Sequence, residues 1–435
     1  MTNSPLPQES VSRASIAVAA FSTVVEWYDF TLYLYFATVL SRVFFGGGER
    51  GLSTTLGAFA IAYLLRPLGG FVFGHVGDRF GRRRTMLLSV GLMTMTMLAT
   101  ALLPTYAQAG ARAGWLLFLL RSIMGFSVGG EYIAVVAYLL EGSPPARRGL
   151  ITSFASASSE VGALFAVGVC LITVNSVSPA NLDSWGWRIP FFVGAALAGS
   201  VWVARTTMQE SPEFKRQQAS GTVPARPLFH ALTNHGAGIV RAFAISALGS
   251  ITYYVGITFV PTFLISAGKM DESGSLRLST AAAVAVILVT PFAGALSDRL
   301  GRKPALIFLT LCSAILPIAL FHLMASGSSS YALFAAVILA CVAGAVSAVG
   351  AIATGEQFPG EGRISGLALG ATTATAIFGG VTPYVAQVLT ERTGSVTAPG
   401  AMIAVVAVAI LPILMTLPET APALRPNRSG VGQRP

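Results

Sequence analysis

The stretch GHVGDRFGRR at residues 74–83 returns, changed but recognisable, as GALSDRLGRK at residues 294–303, 220 positions later. Each copy sets an Asp-Arg pair (Asp78-Arg79 and Asp298-Arg299) two residues before a Gly-Arg pair (Gly81-Arg82 and Gly301-Arg302), and each lies between two long apolar runs. Two further pairs keep a similar offset. Glu141-Gly-Ser-Pro144 is followed by Arg148, and Glu356-Gln-Phe-Pro359 by Arg363, 215 positions on. Glu210-Ser-Pro212 matches Glu419-Thr-Ala-Pro422 at 209. Three matches in one order mean an internal repeat, and all three fall on the same side of the apolar runs. The repeat is therefore parallel rather than inverted.

The apolar runs identify the class of protein. Of 435 residues, 54% are hydrophobic and 11% charged, with a mean hydropathy of +0.70. Soluble domains carry about 25% charged residues, enough to cover their surface. A soluble enzyme, a nucleic-acid binder and a disordered chain are excluded on that ground, and the net charge of +10 belongs to loops flanking a bilayer. A helix crosses the hydrocarbon core with roughly 20 apolar residues. About twelve such runs are expected, at 15–40, 53–73, 85–103, 114–140, 150–174, 188–206, 240–265, 277–297, 304–325, 330–354, 364–389 and 399–417. The first is too long for a signal-peptide core and reads as an uncleaved span. Alternating ten-residue segments, the mark of a β-barrel, are absent.

The expected fold is all-α integral membrane, with 12 transmembrane helices in two six-helix halves. The halves are residues 1–206 and 239–420, joined by the polar linker 207–238 (QESPEFKRQQASGTVPARP at 209–227) and followed by a flexible tail at 421–435. Most of the 28 Lys and Arg lie on the side of the repeated loops, which places both termini in the cytoplasm. Cys170, Cys312 and Cys341 are scattered through apolar runs and form no disulfide framework. The four histidines lack metal-ligand spacing.

Asp and Glu in these loops can pair with Arg from a neighbouring helix end or favour a helix N-terminus. A gating set is therefore expected at Asp78, Arg79, Arg82, Glu141, Arg148, Asp298, Arg299, Arg302, Glu356 and Arg363. It would clasp the halves when the inner side is closed.

With these loops stand Glu26-Trp-Tyr-Asp-Phe30, Arg66-Pro-Leu-Gly-Gly70, Arg121 with Gly125-Phe-Ser-Val-Gly-Gly-Glu131-Tyr132, Gly186-Trp-Arg-Ile-Pro-Phe191, and Phe378-Gly-Gly380 with Pro383. Over nearly its whole length the chain resembles the major facilitator superfamily. More narrowly, it resembles the metabolite–proton symporters, which include α-ketoglutarate, citrate, shikimate and proline/betaine permeases. The resemblance implies proton-driven uptake across a bacterial-type inner membrane, by alternating access, with no cofactor beyond the proton gradient. The implied partners are the lipid bilayer, protons and a small organic solute, with no nucleic acid, and the functional unit is expected to be a monomer.

A charge inside a span costs at least about 2.5 kcal/mol, so each is a functional candidate. There are six, all in the first half: Glu26, Asp29, Arg66, Arg121, Glu131 and Glu160. At about 1.5 Å per residue, Asp29 and Arg121 come to matching depths. The resemblance sets the first and fourth helices beside a central cavity, which makes the two neighbours. Arg121 is expected to bind a substrate carboxylate through its forked guanidinium. Asp29, with Glu26 second, is expected to take up the proton and so release Arg121. A permanent structural pair is the competing reading. Arg66 and Glu131, at similar depths, are expected to form a structural or gating salt bridge, with a proton-transfer role for Glu131 also open. Glu160 is a second proton site, a tuner of substrate choice or a buried neutral acid.

Four acids against two arginines suit a monocarboxylate, a dicarboxylate or a zwitterion better than a tricarboxylate. Tyr28, Tyr33, Tyr132, Tyr253, Tyr254 and Thr372 are the expected polar contacts to substrate. Trp185 and Trp187 are expected at the membrane interface. An enzyme is not expected, because there is no P-loop, haem motif or histidine cluster. A proline/betaine-type uptake system remains the alternative. Drug–proton antiport ranks lower, because the fifth helix (SSEVGALFAVGV, 158–169) lacks the Gly-Pro pair of those exporters.

Overall fold

The computed structural model describes residues 11–268, 270 and 272–424. Most of the expected tail, 425–435, lies outside the described residues. Among the described residues all regular structure is helical.

The first expected span is three helices end to end, α1 (Arg13–Phe21), α2 (Thr23–Tyr35) and α3 (Ala37–Phe45), with breaks at Ser22 and Phe36. The second is α4 (Gly48–Leu64) and α5 (Arg66–Phe80), broken at Leu65. Pro67 stands in the first turn of α5, where its missing N–H costs nothing and its fixed φ starts a helix. Then follow α6 (Arg82–Ala101), α7 (Ala111–Gly142), α8 (Arg148–Ser176) and α9 (Arg188–Thr206). After the polar stretch come α12 (Gly236–Tyr253), α13 (Val260–Ser266), α14 (Glu272–Leu300), α15 (Arg302–Met324), α16 (Ser329–Gly355), α17 (Arg363–Leu367), α18 (Thr373–Phe378), α19 (Thr382–Thr393) and α20 (Ala398–Met415). Ten helical segments among the described residues are long and apolar enough to cross a bilayer. The first two expected spans are not among them, because breaks and charges interrupt both.

The polar stretch is not an open coil. It holds α10 (Pro212–Ser220), capped by Ser211 through Phe214 N–H, and α11 (Pro227–Asn234). α11 packs on α5 and α17.

Helix crossings explain two of the glycine-rich motifs. A Cβ at Gly129 of α7 would run into the Arg66 carbonyl and, at 2.9 Å, the Gly70 backbone nitrogen of α5; one at Gly69 would strike the Phe126 carbonyl. Only residues without side chains let these backbones touch, and that contact holds Arg66 against α7. The outward surface is apolar, as at Met95, Leu288 and Phe292, which suits contact with lipid rather than water. One core gathers Tyr28, Met97, Trp187 and Phe191, and a second Phe259, Phe263 and Phe321. A third mixes Ile133 and Tyr138 with Phe358 and Ile364, so the parts before and after the linker share a core near the motif loops. Trp187 is fully buried, its ring 4.9 Å from Phe44, and is not an interfacial anchor; Trp185 is exposed.

Candidate functional site

A cavity of about 170 Å³ lies between the parts of the chain before and after the linker. α2 and α5 give it Glu26, Trp27 and Arg66; α7 and α8 give Tyr132, Ser156, Ser159 and Glu160; α12, α16 and the segment around α17–α18 give Ser250, Tyr253, Ser347, Thr354, Thr372 and Thr375. Tyr254 also lines it. Tyr254 opens a π-helical turn (Tyr254–Thr258) and Thr372 closes another (Ala368–Thr372). The extra residue in such turns re-aims side chains and is frequent at functional sites.

Of the residues expected to contact substrate, Tyr132, Tyr253, Tyr254 and Thr372 face the cavity, whereas Tyr28, Tyr33 and Arg121 do not. Tyr28 donates its hydroxyl to the Pro190 carbonyl at 2.8 Å, and Tyr33 to the Thr55 carbonyl at 2.9 Å. Arg121 and Asp29 do meet. Their two parallel hydrogen bonds measure 2.8 and 2.9 Å, both residues are buried, and the guanidinium lies 5.3 Å from the Tyr33 ring centre. Both ends of the fork are occupied by Asp29, and the pair sits outside the cavity wall.

The expected Arg66–Glu131 bridge is not formed. Arg66 donates to Glu26 at 3.2 Å and stacks 4.2 Å from the Tyr63 ring centre. Glu131 is held instead by Arg205 of α9, with Nη1 at 3.0 Å and Nη2 also bonded, and by the Ser89 hydroxyl. Arg205 is fully buried and also donates to the Met86 carbonyl at 2.6 Å and to Ser22, the residue at the break before α2. Position near the end of a span made Arg205 look like an ordinary basic loop residue; nothing in its sequence neighbourhood marks it as buried.

Glu26 and Arg66 are thus the ion pair inside the cavity, joined by one hydrogen bond, and Glu26 Oε2 is buried without a partner. Glu160, on the facing wall, accepts the Tyr253 hydroxyl. Above them lies an aromatic roof. The Tyr63 and Tyr254 hydroxyls bond to each other, Phe30 packs on both rings (6.3 and 6.2 Å), and Trp27 packs on Tyr253 at 4.9 Å. Among the described residues, no group of three His, Cys, Asp or Glu could hold a metal ion.

Below the cavity the repeated motifs interlock. Asp78 accepts the backbone N–H groups of Ile364 (3.2 Å) and Ser365 (2.8 Å), at the start of α17. Asp298 does the same for Gly149 (2.9 Å) and Leu150 (3.0 Å), at the start of α8. A carboxylate on free helical N–H groups is favoured by charge and by the helix dipole. Arg82 bonds Glu141 at 2.9 Å and the Gly360 carbonyl at 2.7 Å, and Arg363 adds a 2.7 Å bond to Glu141. Arg302 bonds Asp298 at 2.6 Å and Glu356 at 3.3 Å. Arg148 reaches the same end, beside Glu356 and Arg363. Arg79 and Arg299 stand apart from this lattice. Both are exposed, and Arg79 reaches the Ala225 carbonyl of the linker.

The third repeat match acts as a cap. Glu210 accepts Arg82 N–H at 3.0 Å, and Glu419 accepts Arg302 N–H at 2.9 Å. Gly81 (φ 110°) and Gly301 (φ 103°) make the turns at which the carboxylates sit, a region of φ that disfavours side chains. Burial raises the pKa of Glu210. Burial also acts upward at Glu419, but there backbone N–H donors from Ala421, Arg302, Lys303 and Thr420 outweigh it and the pKa is lowered.

Residues 15–235 match the model of the sugar (and other) transporter family, and residues 271–434 that of the major facilitator superfamily. The chain is 33% identical to the α-ketoglutarate permease of Escherichia coli K12, over 86% of each chain. It is 29% identical to the proline/betaine transporter of Salmonella typhimurium, over 94% of this chain and 84% of that one. Identity is also 29% to the citrate–proton symporter of Klebsiella pneumoniae, over 86% and 85%. Its fold is similar to that of a proton:xylose symporter bound to 6-bromo-6-deoxy-D-glucose, with a TM-score of 0.77 at 20% identity, over 94% of this chain and 96% of that one.

Proposed function

The chain belongs to the major facilitator superfamily of membrane transporters, and on that premise we propose that it is a proton-coupled symporter that takes up a small carboxylate-bearing metabolite. The observation that carries this reading is Arg66. Among the described residues it is the one cation lining the cavity, and one 3.2 Å bond to Glu26 leaves most of its donors available. Arg121 and Arg205, by contrast, are engaged by Asp29 and Glu131 outside it. The role of substrate anchor expected of Arg121 therefore passes to Arg66. An α-ketoglutarate permease and a citrate–proton symporter among the relatives support a carboxylate cargo.

In the proposed cycle, Glu26 binds the proton and lets go of Arg66, and the freed guanidinium takes the substrate carboxylate. Glu26 is preferred to Asp29 because it holds one arginine bond against two and has an oxygen without a partner. The aromatic roof closes the outer side, the motif lattice closes the cytoplasmic side, and alternating access opens them in turn. The same proposal has about twelve spans in two six-helix halves (1–206 and 239–420) around the linker 207–238. It has both termini in the cytoplasm, a monomer in a bacterial inner membrane, and no cofactor but the proton gradient. A second reading, uptake of a zwitterionic osmolyte, has one observation in its favour: Glu160 lines the cavity with a tyrosine rather than a cation as its hydrogen-bond partner. A proline/betaine transporter is among the relatives.

Reconstituted vesicles test the proposal. Glu26→Gln should keep solute counterflow and lose uphill accumulation driven by an inward proton gradient. Arg66→Ala should lose both for every carboxylate. If Asp29→Asn gives the uncoupled phenotype and Glu26→Gln does not, the proton travels on the Asp29–Arg121 pair and the assignment to Glu26 falls. Proton-driven efflux of a hydrophobic dye, with no carboxylate uptake, would sink the symport reading itself.

A further inference from the structure

The polar stretch between the halves carries groups that the proposed cycle leaves unused. α11 (Pro227–Asn234) packs on α5 of the first half and on α17 of the second, so it lies across the seam that the motif lattice closes. Its seat on the second half is the segment 358–362. Gly362 (φ 75°) comes so near that an added Cβ would meet His230 at 3.4 Å and the Pro227 carbonyl at 3.8 Å. The same segment carries groups of the gate. The Gly360 carbonyl accepts Arg82 at 2.7 Å, the Phe358 carbonyl accepts Arg363 at 3.2 Å, and the Ile364 and Ser365 N–H groups just beyond hold Asp78. On the first half, Arg79 of α5 donates to the Ala225 carbonyl just ahead of α11. Parting of the halves must therefore strip α11 from one of them.

His235 is the joint of this arrangement. Its N–H donates to the Ala231 carbonyl at 2.9 Å and its carbonyl accepts Ile239 N–H at 3.0 Å, so it ends α11 and starts α12. Its ring lies edge-on to Phe358, 6.5 Å between centres, and 5.5 Å from His230. Its Nε2 is buried without a hydrogen-bond partner. A neutral ring can leave a lone pair there, whereas a protonated ring must put an N–H and a charge there. Burial and His230 disfavour that charge, and Glu361 opposes them. Other charges on the packed elements are taken: Asp78, Arg79, Arg241, Glu356 and Arg363 bond to α17, Ala225, Thr416, Arg302 and Glu141, and His75 lies against Phe80. We propose that α11 is a latch across the cytoplasmic gate and that a proton on His235 unseats it. The lowered pKa of the seated ring gives the sign: the latched state is favoured above about pH 6.5 and loses that advantage as pH falls through the lowered value. Acid on the cytoplasmic side then keeps more of the protein open inward, the empty carrier returns outward more slowly, and uptake is braked by the protons it delivers. The inference takes only proton coupling from the proposed cycle.

Spin labels at Arg84 and Pro304, exposed positions that correspond in the two copies of the repeat, read the gate in the purified full-length protein without any solute. Lowering the pH from about 7.5 to about 5.5, across the histidine range, should raise the long-distance population at least about threefold. His235→Gln, neutral throughout, should abolish the rise. His235→Lys, charged at both values, should show the long population at both. In vesicles, uptake of labelled α-ketoglutarate or proline, whichever the protein carries, should be at least about twofold faster in His235→Gln than in the native protein at an internal pH of about 6. At an internal pH of about 7.5 the two should match. An unchanged distance in the native protein overturns the latch. A rise that survives in His235→Gln overturns the assignment to His235, and equal uptake at both internal pH values overturns the brake. If neither solute enters while the distance still shifts with pH, the transport proposal fails and the latch stands.

Discussion

Arg66 and Arg121 are both arginines inside spans, yet the structure gives them different surroundings, and replacing each by lysine separates the two. Lysine keeps the charge and removes the planar fork. At Arg121 the fork is used in full: two bonds of 2.8 and 2.9 Å to Asp29 in a buried site. Lysine can keep one of these, so Arg121→Lys should lose one charge-assisted hydrogen bond, worth about 1.5–3 kcal/mol of stability. At Arg66 the protein uses a single 3.2 Å bond to Glu26 and a stack on Tyr63 at 4.2 Å; lysine can replace the bond and loses only part of the stack, so Arg66→Lys should cost less stability than Arg121→Lys. The lost fork would be felt by the substrate instead. One charge-assisted bond of the same worth raises KM by about 10- to 150-fold. The assay is paired: proton-driven uptake in vesicles for KM, and unfolding in a denaturing detergent titration for stability. The expected result is a crossed pattern, with Arg66→Lys impaired in KM and Arg121→Lys impaired in stability. A KM effect larger at Arg121 than at Arg66 would refute the placement of the substrate anchor in the cavity.

Arg205→Leu should cost about 3–5 kcal/mol, because it strands Glu131 as a buried, uncompensated charge; Arg205→Leu with Glu131→Leu should recover most of this, and no loss in the single variant would make Arg205 a mere topology signal. Asp78→Asn and Asp298→Asn should each weaken two helix-capping bonds and shift the protein toward an open motif side. Spin labels at Arg84 and Glu361 should report longer distances in both variants, and no change in either would contradict a clasp. His235, beside His230 (ring centres 5.5 Å apart), has a pKa lowered by burial and by His230, with Glu361 opposing. A lowered folded pKa favours the neutral ring, so its stabilisation is present above about pH 6.5 and is lost as pH falls through the folded value. Hydrogen-exchange protection over residues 227–238, corrected for intrinsic rates, should fall between about pH 7 and 5, and His235→Gln should flatten that change.

How far the sequence could be read depended on whether a feature repeats along the chain or depends on rotation about a helix. The motif lattice was legible because its acids and arginines occur twice, at matched spacing and on one side. Even so, the pattern alone did not separate Arg82 and Arg302, which are buried, from Arg79 and Arg299, which face out. Depth along a span brought Asp29 and Arg121 to the same level, and the structure has them bonded. The same depth argument paired Arg66 with Glu131 and failed, since successive helical residues point about 100° apart and depth says nothing about direction. Breaks at Ser22 and Leu65 reset that rotation for α2 and α5. Tyr28 and Tyr33, which flank Asp29 in the sequence, turn away from the cavity for the same reason.

The buried ion pairs divide by what their charges would meet on separation. When the lattice of Asp78, Arg82, Glu141 and Arg363 parts, its groups lie at the ends of their helices, where water can take over their hydrogen bonds. Opening there trades one set of hydrogen bonds for another, at a net cost of about 1.5–3 kcal/mol for each charge-assisted bond, and needs no change of charge. Glu131–Arg205 and Asp29–Arg121 have no such exit, because their surroundings are packed helix, and Glu26–Arg66 lies inside the spans on the cavity wall. A pair of that kind can part only if one charge disappears, and arginine does not give up its proton. The carboxylate must then gain one. A transporter that couples movement to protons therefore has to place the proton step on a pair inside the spans and the gate on the pairs at the surface. Among the interior pairs, Glu26–Arg66 has a single arginine bond, a carboxylate oxygen without a partner and contact with the cavity. In the proposed function it is the pair that a proton and a substrate carboxylate both reach, and the one whose separation should cost the fold least.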